Sequence, residues 1–295
     1  MTNQAPRPRR SVLYMPGSKA RALEKARGLP ADALILDLED AVAPAEKLAA
    51  RQMVAGAVRA GGFGPREVLI RINGLDTEWG ADDLAAAVAA GPDAVLVPKV
   101  ESARMVRDVA LGFERLGAQP HTRIWAMMET PLGMLNAPEI AGAHPLLACL
   151  VMGTNDLVKD LRAQHTEMRL PVITGLGLCL LAARAHGLAI VDGVYNAFRD
   201  AEGLRRACLQ GREMGMDGKT LIHPDQLAIA NEVFAPSDAE IAQARTYVEA
   251  FAAAEARGEG VAVVDGRIVE NLHVESARRL LAEAEAIARL AAAAD

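Results

Sequence analysis

Aromatic side chains are scarce: two tryptophans, three tyrosines and five phenylalanines make up 3% of 295 residues. That is too little ring surface for a nucleic-acid stacking platform. Basic residues do not outnumber acidic ones. With 32 Lys and Arg against 38 Asp and Glu, the formal net charge is −6, so no general positive field draws the chain to nucleic acid or an anionic membrane. Any anion site must be local. No run approaches the roughly 18 apolar residues of a membrane span, and the opening MTNQAPRPRR leads into no signal-peptide apolar core. The expectation is a cytoplasmic protein with no membrane partner. Cysteine is rare too: Cys149, Cys179 and Cys208 fit neither a disulfide framework nor a CxxC metal site, and read as reduced core thiols. There is no GxSxG elbow, no HExxH pair and no Gly-rich dinucleotide turn after a strand.

What is present is a recurrence. Hydrophobic residues make up 51% and charged residues 24%, a globular balance with enough apolar material for a sizeable core. Short apolar, β-branched runs recur at Arg10 to Met15, Ala33 to Leu38, Glu67 to Ile72, Ala94 to Pro98, Arg123 to Met128, Ala148 to Met152, Leu188 to Val191 and Lys219 to Ile222. Between them lie segments of helical spacing that often close on a glycine, such as SKARALEKARG and WGADDLAAAVAAG. Eight strand-then-helix units, with strands too apolar to face water on either side, predict an α/β fold, a (β/α)8 TIM barrel. A doubly wound open sheet is the alternative. The barrel is expected over residues 1–225, with a C-terminal extension over 226–295. In that tail SDAE forms a capping box at Ser237 and Glu240 that opens a helix to Arg257, followed by an extended segment turning at Asp265 and Gly266 and a final amphipathic helix. The tail is either an extra packing layer or oligomer contact, or a lid over a barrel mouth.

In such barrels chemistry collects where strands end at their carboxyl side. Those ends read Pro16-Gly17-Ser18-Lys19, Asp37-Leu38-Glu39-Asp40, Arg71-Ile72-Asn73, Pro98-Lys99-Val100-Glu101, Glu129-Thr130-Pro131, Gly153-Thr154-Asn155-Asp156, Asp192-Gly193-Val194-Tyr195 and His223-Pro224. Every strand delivers a polar group to one rim. Glu129 and Asp156 close adjacent strands and can set two carboxylates against one hard cation, Mg²⁺ first, unless each only caps a helix. Arg71 offers a bidentate fork for a small acid, with Glu39 and Asp40 to orient it, unless the three form a structural ion-pair network. Lys99 reads as a Schiff-base nucleophile or as a counter-charge to the carboxylates. The Pro16 to Lys19 turn before a helix start is either an anion site or an ordinary turn and cap. His121, His144, His165 and His186 lie in loops or helices; only His223 sits at a strand end, in a ligand or structural role.

Through RRSVLYMPGSK, LILDLEDAV, RING, VPKVES, MMETPLG, MGTNDL, VDGVYNAF and GKTLIHPDQ, nearly end to end, the chain resembles the citrate lyase β-subunit-like family. That family includes malyl-CoA and citramalyl-CoA lyases and malyl-CoA thioesterases. The resemblance implies Mg²⁺, with Mn²⁺ as a substitute, on Glu129 and Asp156. It places Arg71 on the reacting acid or thioester carbonyl, with Glu39 and Asp40 orienting it. It puts coenzyme A and substrate against Pro16, Gly17, Lys19, Gly153, Asp192, Val194 and Tyr195. It further implies a homotrimer, or a hexamer of trimers, in which a tail residue reaches a neighbouring subunit's active site. The family's tail reads GxMIDxP; here GRIVENLH puts Glu270 at the aspartate position, as the acid or base. The expected activity is reversible C–C cleavage of a short carboxylated 3-hydroxyacyl-CoA to acetyl-CoA or propionyl-CoA plus glyoxylate or pyruvate. A malyl-CoA-type thioesterase, a CoA-independent metal-dependent 2-oxo-acid aldolase and a non-catalytic subunit are the alternatives.

Overall fold

A computed structural model describes residues 7–293. Its contacts divide the chain into two units, Arg9–Phe234 and a second made of the residues before it and Ala235–Asp295.

The first unit is the expected barrel. Its strands are β1 (Ser11–Pro16), β2 (Ala33–Asp37), β3 (Glu67–Arg71), β4 (Ala94–Val97), β5 (Arg123–Met128), β6 (Leu147–Met152), β7 (Ala189–Asp192) and β8 (Gly218–Leu221). They run parallel in sequence order and close through β1 and β8. The helices between them are α1 (Ala20–Ala26), α2 (Lys47–Ala60), α3 (Gly80–Ala90), α4 (Ala103–Leu116), α5 (Pro131–Leu135), α6 (Ala137–Ala141), α7 (Thr154–Asp160), α8 (Leu170–Ala185) and α9 (Ala201–Met214), with α10 (Leu227–Phe234) after β8. The boundary falls after Phe234 rather than at residue 226, because α10 packs on β1, β8 and α9 and buries Leu227, Ala230, Val233 and Phe234.

Period-two alternation sorts the strand side chains. One set, including Val12, Ala33, Ile35, Leu69, Leu96, Trp125, Met127, Val151 and Val191, fills the barrel interior. The other, including Leu13, Leu34, Leu36, Ile70, Val95, Ile124, Leu150 and Ile190, packs outward beneath the helices. Continuing the inward set toward the carboxyl ends gives Tyr14 after Val12, Asp37 after Ile35, Arg71 after Leu69 and Glu129 after Met127. The apolar interior therefore ends in a polar layer at the rim. The three cysteines are free and buried, with burial pushing the thiols of Cys179 and Cys208 up to about 12 and about 11.

The second unit is built on α11 (Asp238–Glu255), the antiparallel hairpin β9 (Ala262–Val264) and β10 (Arg267–Val269), and α12 (Asn271–Ala292). Ser237 and Glu240 form the expected capping box. Asp265 and Gly266 both have positive φ, +49° and +74°, as a two-residue hairpin turn of the I′ type requires. Phe251, Ala254, Ala262, Val269 and Val274 form this unit's own core. Among the described residues no helix is long and apolar enough to cross a membrane.

Candidate active site

The register of β2 and β3 pairs Asp37 with Arg71. Both side chains enter the rim layer, and Asp37 takes the guanidinium bidentately: Nε donates to Oδ1 and Nη2 to Oδ2, each at 2.6 Å. Glu39 Oε2 lies 2.7 Å from Nη1, while Asp40, largely exposed, stands at 3.4 Å. Glu39 and Asp40 thus join Arg71 as expected, but Asp37 is its principal partner. The inward parity of Ile35 carries the signal that sequence reading missed. With Nε and Nη2 held by Asp37, Nη1 is the edge turned to the mouth.

Glu39 also pairs with Lys99, its Oε1 accepting from Nζ at 3.0 Å. Burial pulls the Lys99 ammonium down, but Glu39 outweighs it and the net shift is upward. Lys99 is therefore placed as a counter-charge to Glu39. Its backbone has φ +48°, a strained setting for a non-glycine residue, and this aims the Lys99 N–H at Glu129 Oε1, 2.8 Å away.

Glu129 follows β5, and its other oxygen, Oε2, is buried with no hydrogen-bond partner. Burial and then the like charge of Glu39 push its carboxyl up to about 8. Asp156, in the first turn of α7, adds negative charge to the same place, its own side chain being partly open to solvent. Gly153 makes room between them: a Cβ there would clash with Glu129 Cβ and lie 2.6 Å from Glu129 Oε2. An orphaned carboxylate oxygen beside a second carboxylate fits a hard divalent cation that keeps its remaining positions for water and substrate oxygens. Among the described residues no three His, Cys, Asp or Glu side chains gather around one metal position.

Tyr14, Arg71, Met127, Glu129, Gly153 and Asp156 line one mouth cavity of about 290 Å³. Val194 borders it and also a neighbouring cavity of about 490 Å³, which Tyr195 lines with Arg169 and Arg206. On the other side Asp40 leads to a larger hollow of about 890 Å³, with Glu39, Asp76, Glu101 and Asp108 on its walls.

Several expected contacts lie elsewhere. Pro16, Gly17 and Lys19 are outside the mouth lining. Gly17 is needed for close packing, since its N–H donates to Asp37 O at 2.9 Å and a Cβ would collide with that carbonyl. Lys19 is exposed at the start of the seven-residue α1. Asp192 is corrected from ligand contact to structural anchor. Val191 faces inward, so alternation turns Asp192 outward, fully buried, where Lys219 Nζ donates at 2.8 Å and Arg169 Nη1 at 2.7 Å. Burial raises its pKa but Lys219 and Arg169 outweigh that and hold it below the ordinary carboxylate value. His223 stacks on Phe198 with centroids 4.6 Å apart, and its Nδ1 accepts from Asp225 N, a capping role. Glu270 is exposed in the second unit, at the N-terminus of α12, with its backbone N–H donating to His273 Nδ1 at 3.1 Å.

The sequence pattern described as HpcH/HpaI aldolase/citrate lyase matches residues 10–224. The chain belongs to that family. It is 60% identical over 292 residues to a (3S)-malyl-CoA thioesterase of Cereibacter sphaeroides, covering 99% of this chain and all of the relative. It is 36% identical over 284 residues to the citrate lyase subunit beta of Escherichia coli, covering 95% of this chain and 94% of the relative. Among solved structures, protein CitE from Mycobacterium tuberculosis in complex with magnesium, acetoacetate and coenzyme A superposes with a TM-score of 0.74 at 29% identity, covering 94% of this chain and 98% of that one. Within this HpcH/HpaI chain, the rim layer belongs to the matched segment, whereas Glu270 lies beyond it.

Proposed function

We propose that this HpcH/HpaI family member hydrolyses the thioester of a short carboxylated 3-hydroxyacyl-CoA of the malyl-CoA type. The end-to-end 60% identity to a named (3S)-malyl-CoA thioesterase carries the choice of hydrolysis over the C–C cleavage expected first. The rim geometry supports the substrate class. A guanidinium whose Nη1 is only partly taken up by Glu39 and Asp40 lines the same small cavity as a carboxyl pair, so a negatively polarised oxygen and a cation-binding acid each have a place.

Glu129 and Asp156 would hold Mg²⁺, which when bound supplies Lewis-acid polarisation and charge neutralisation for substrate oxygens. Arg71 Nη1 donates to the thioester carbonyl oxygen and stabilises the negative charge that grows there as water adds. Asp37 and Glu39 fix the guanidinium in that pose. Glu270, brought from the tail of a neighbouring copy in a trimer or hexamer, accepts the proton of the attacking water. The water oxygen bonds to the carbonyl carbon, the C–S bond breaks, and the proton ends on the CoA thiolate. Val194 and Tyr195 border the path of the CoA arm. The enzyme works in the cytoplasm.

A second reading, C–C cleavage to acetyl-CoA or propionyl-CoA plus glyoxylate or pyruvate, draws on the likeness to citrate lyase subunit beta. The test is to incubate purified protein with Mg²⁺ and malyl-CoA, methylmalyl-CoA or citramalyl-CoA, following free thiol, acyl-CoA products and 2-oxo acid separately. Free thiol matched by the free hydroxy acid is the expected result. Release of a 2-oxo acid with a shorter acyl-CoA would replace hydrolysis with cleavage, and turnover of free oxo acids without CoA would make the protein an aldolase.

A further inference from the structure

The mechanism above leaves one rim group unused. Tyr14 is the last inward residue of β1 before the turn at Pro16, and its ring lies flat enough on Arg71 to put the guanidinium carbon 4.9 Å from the ring centroid. Among the described residues the Tyr14 hydroxyl has one hydrogen-bond partner, the thioether of Met127, 3.7 Å away. Arg71 Nη1 reaches the same sulfur at 3.8 Å. A thioether is a weak acceptor, so the phenol and the side of Nη1 not taken up by Glu39 Oε2, 2.7 Å away, and Asp40 Oδ2, 3.4 Å away, converge on a spot that offers them little. That spot faces the mouth cavity, with Glu129 and Asp156 on the cavity wall as well.

Two donors aimed together at a poor acceptor, over an open cavity, describe a receptor for an oxygen the free protein lacks. We propose that the Tyr14 hydroxyl and Arg71 Nη1 jointly receive the thioester carbonyl oxygen of the substrate, making Tyr14 a catalytic residue. The inference rests on the thioester reading and names a second donor for it. Burial, with Asp37, Glu129 and Glu39 nearby, drives the phenol's pKa well above its ordinary value despite the opposing charge of Arg71. The group therefore stays a neutral donor throughout the working pH range. A neutral donor complements the cationic one: it adds hydrogen-bond direction at the oxygen without a second positive charge to repel the cation held across the cavity.

Tyr14→Phe keeps the ring, its packing and its contact with the guanidinium, and deletes only the donor. Steady-state hydrolysis of malyl-CoA should show kcat lowered by about 10²-fold with KM changed less than about threefold, the pattern of a contact that strengthens in the transition state. Isotope-edited infrared spectroscopy of a bound, ¹³C-carbonyl-labelled acetyl-CoA supplies an independent reading. The carbonyl band should be displaced to lower frequency on wild-type protein and displaced less on Tyr14→Phe. A Phe variant with wild-type kcat, or with an unchanged carbonyl band, overturns the role of Tyr14 and leaves the thioesterase reading standing. A wild-type protein that cleaves the C–C bond and not the thioester overturns hydrolysis. Tyr14 is then supported by the same loss of cleavage in the variant, and overturned by its absence. A wild type that turns over no CoA thioester overturns both.

Discussion

The backbone N–H of Lys99 donates to Glu129 Oε1, and the second oxygen of that carboxyl is left buried and unpartnered beside Asp156. Half of the carboxylate is fixed by a strained backbone and half is left for a ligand. Because burial and Glu39 push this carboxyl up to about 8, the metal-free protein holds a proton there at neutral pH. The folded pKa lies above the ordinary glutamate value of about 4.5, so the stability gained from that proton is complete below about pH 4.5 and is lost as pH rises through about 8. A cation replaces the proton. Mg²⁺ should therefore raise the melting temperature more at pH 8.5 than at pH 6.5, and its affinity should fall up to about tenfold per unit below pH 8. Thermal melts with Mg²⁺ or EDTA check this, and Glu129→Gln should erase both the response to Mg²⁺ and turnover.

Arg71 and Asp37 make a second test, because a fork pairs with a carboxylate in a way an ammonium does not. Arg71→Lys should lower kcat/KM by about 10²- to 10³-fold. Asp37→Asn should do nearly as much while touching no substrate, since it frees the guanidinium to turn toward Glu39 and Asp40. Steady-state kinetics separates this from simple unfolding when circular dichroism shows both variants folded. Full activity in Asp37→Asn would remove Asp37 from the positioning role.

The barrel was legible because its signal repeats: eight apolar β-branched runs, each followed by a helical stretch, leave few arrangements for a parallel sheet. Glu129, Asp156 and Arg71 were legible as polar residues at strand ends. What escaped was the direction each strand end faces. Asp37 and Asp192 both close strands, yet Ile35 and Val191 are inward residues two and one positions before them, so Asp37 turns into the mouth and Asp192 turns away from it. Arg169 was invisible as Asp192's partner because it enters from the start of α8, 23 residues earlier in the chain. Tyr14 lay unremarked within the first apolar run, and only the ring placement against Arg71 reveals its position in the rim.

Asp192 gives a stability prediction that leaves the chemistry aside. It is fully buried between Lys219 and Arg169, and removing its charge strands the Lys219 ammonium, which is itself 1% exposed. Asp192→Asn should cost about 3–5 kcal/mol, the usual penalty for breaking a buried ion pair from one side. For a chain of this size that is a loss of roughly 10 °C in melting temperature. The folded pKa lies below the ordinary aspartate value of about 3.8, so this stabilisation is present above about pH 3.8 and is lost as pH falls through the depressed value. Acid unfolding followed by circular dichroism should therefore be flatter in the variant over that range.

Glu270 tests whether the tail works across subunits. It stands exposed at the start of α12, in a unit with its own small core. If it accepts the proton of the attacking water, Glu270→Gln should lower kcat by about 10²- to 10⁴-fold with little effect on KM, because a general base contributes mainly to the chemical step. Glu270→Asp should recover only part of the loss, since proton transfer depends on placement within hydrogen-bond reach. The stronger test mixes two inactive proteins. Glu270→Gln retains an intact rim and Arg71→Ala retains an intact tail, so subunits exchanged between them create sites that draw the rim from one copy and the tail from another. Recovery of activity on mixing, absent when either variant is alone, is the expected outcome. No recovery after demonstrated exchange would mean that each chain completes its own site or that Glu270 takes no part in turnover. Full activity in Glu270→Gln by itself would choose the second of these.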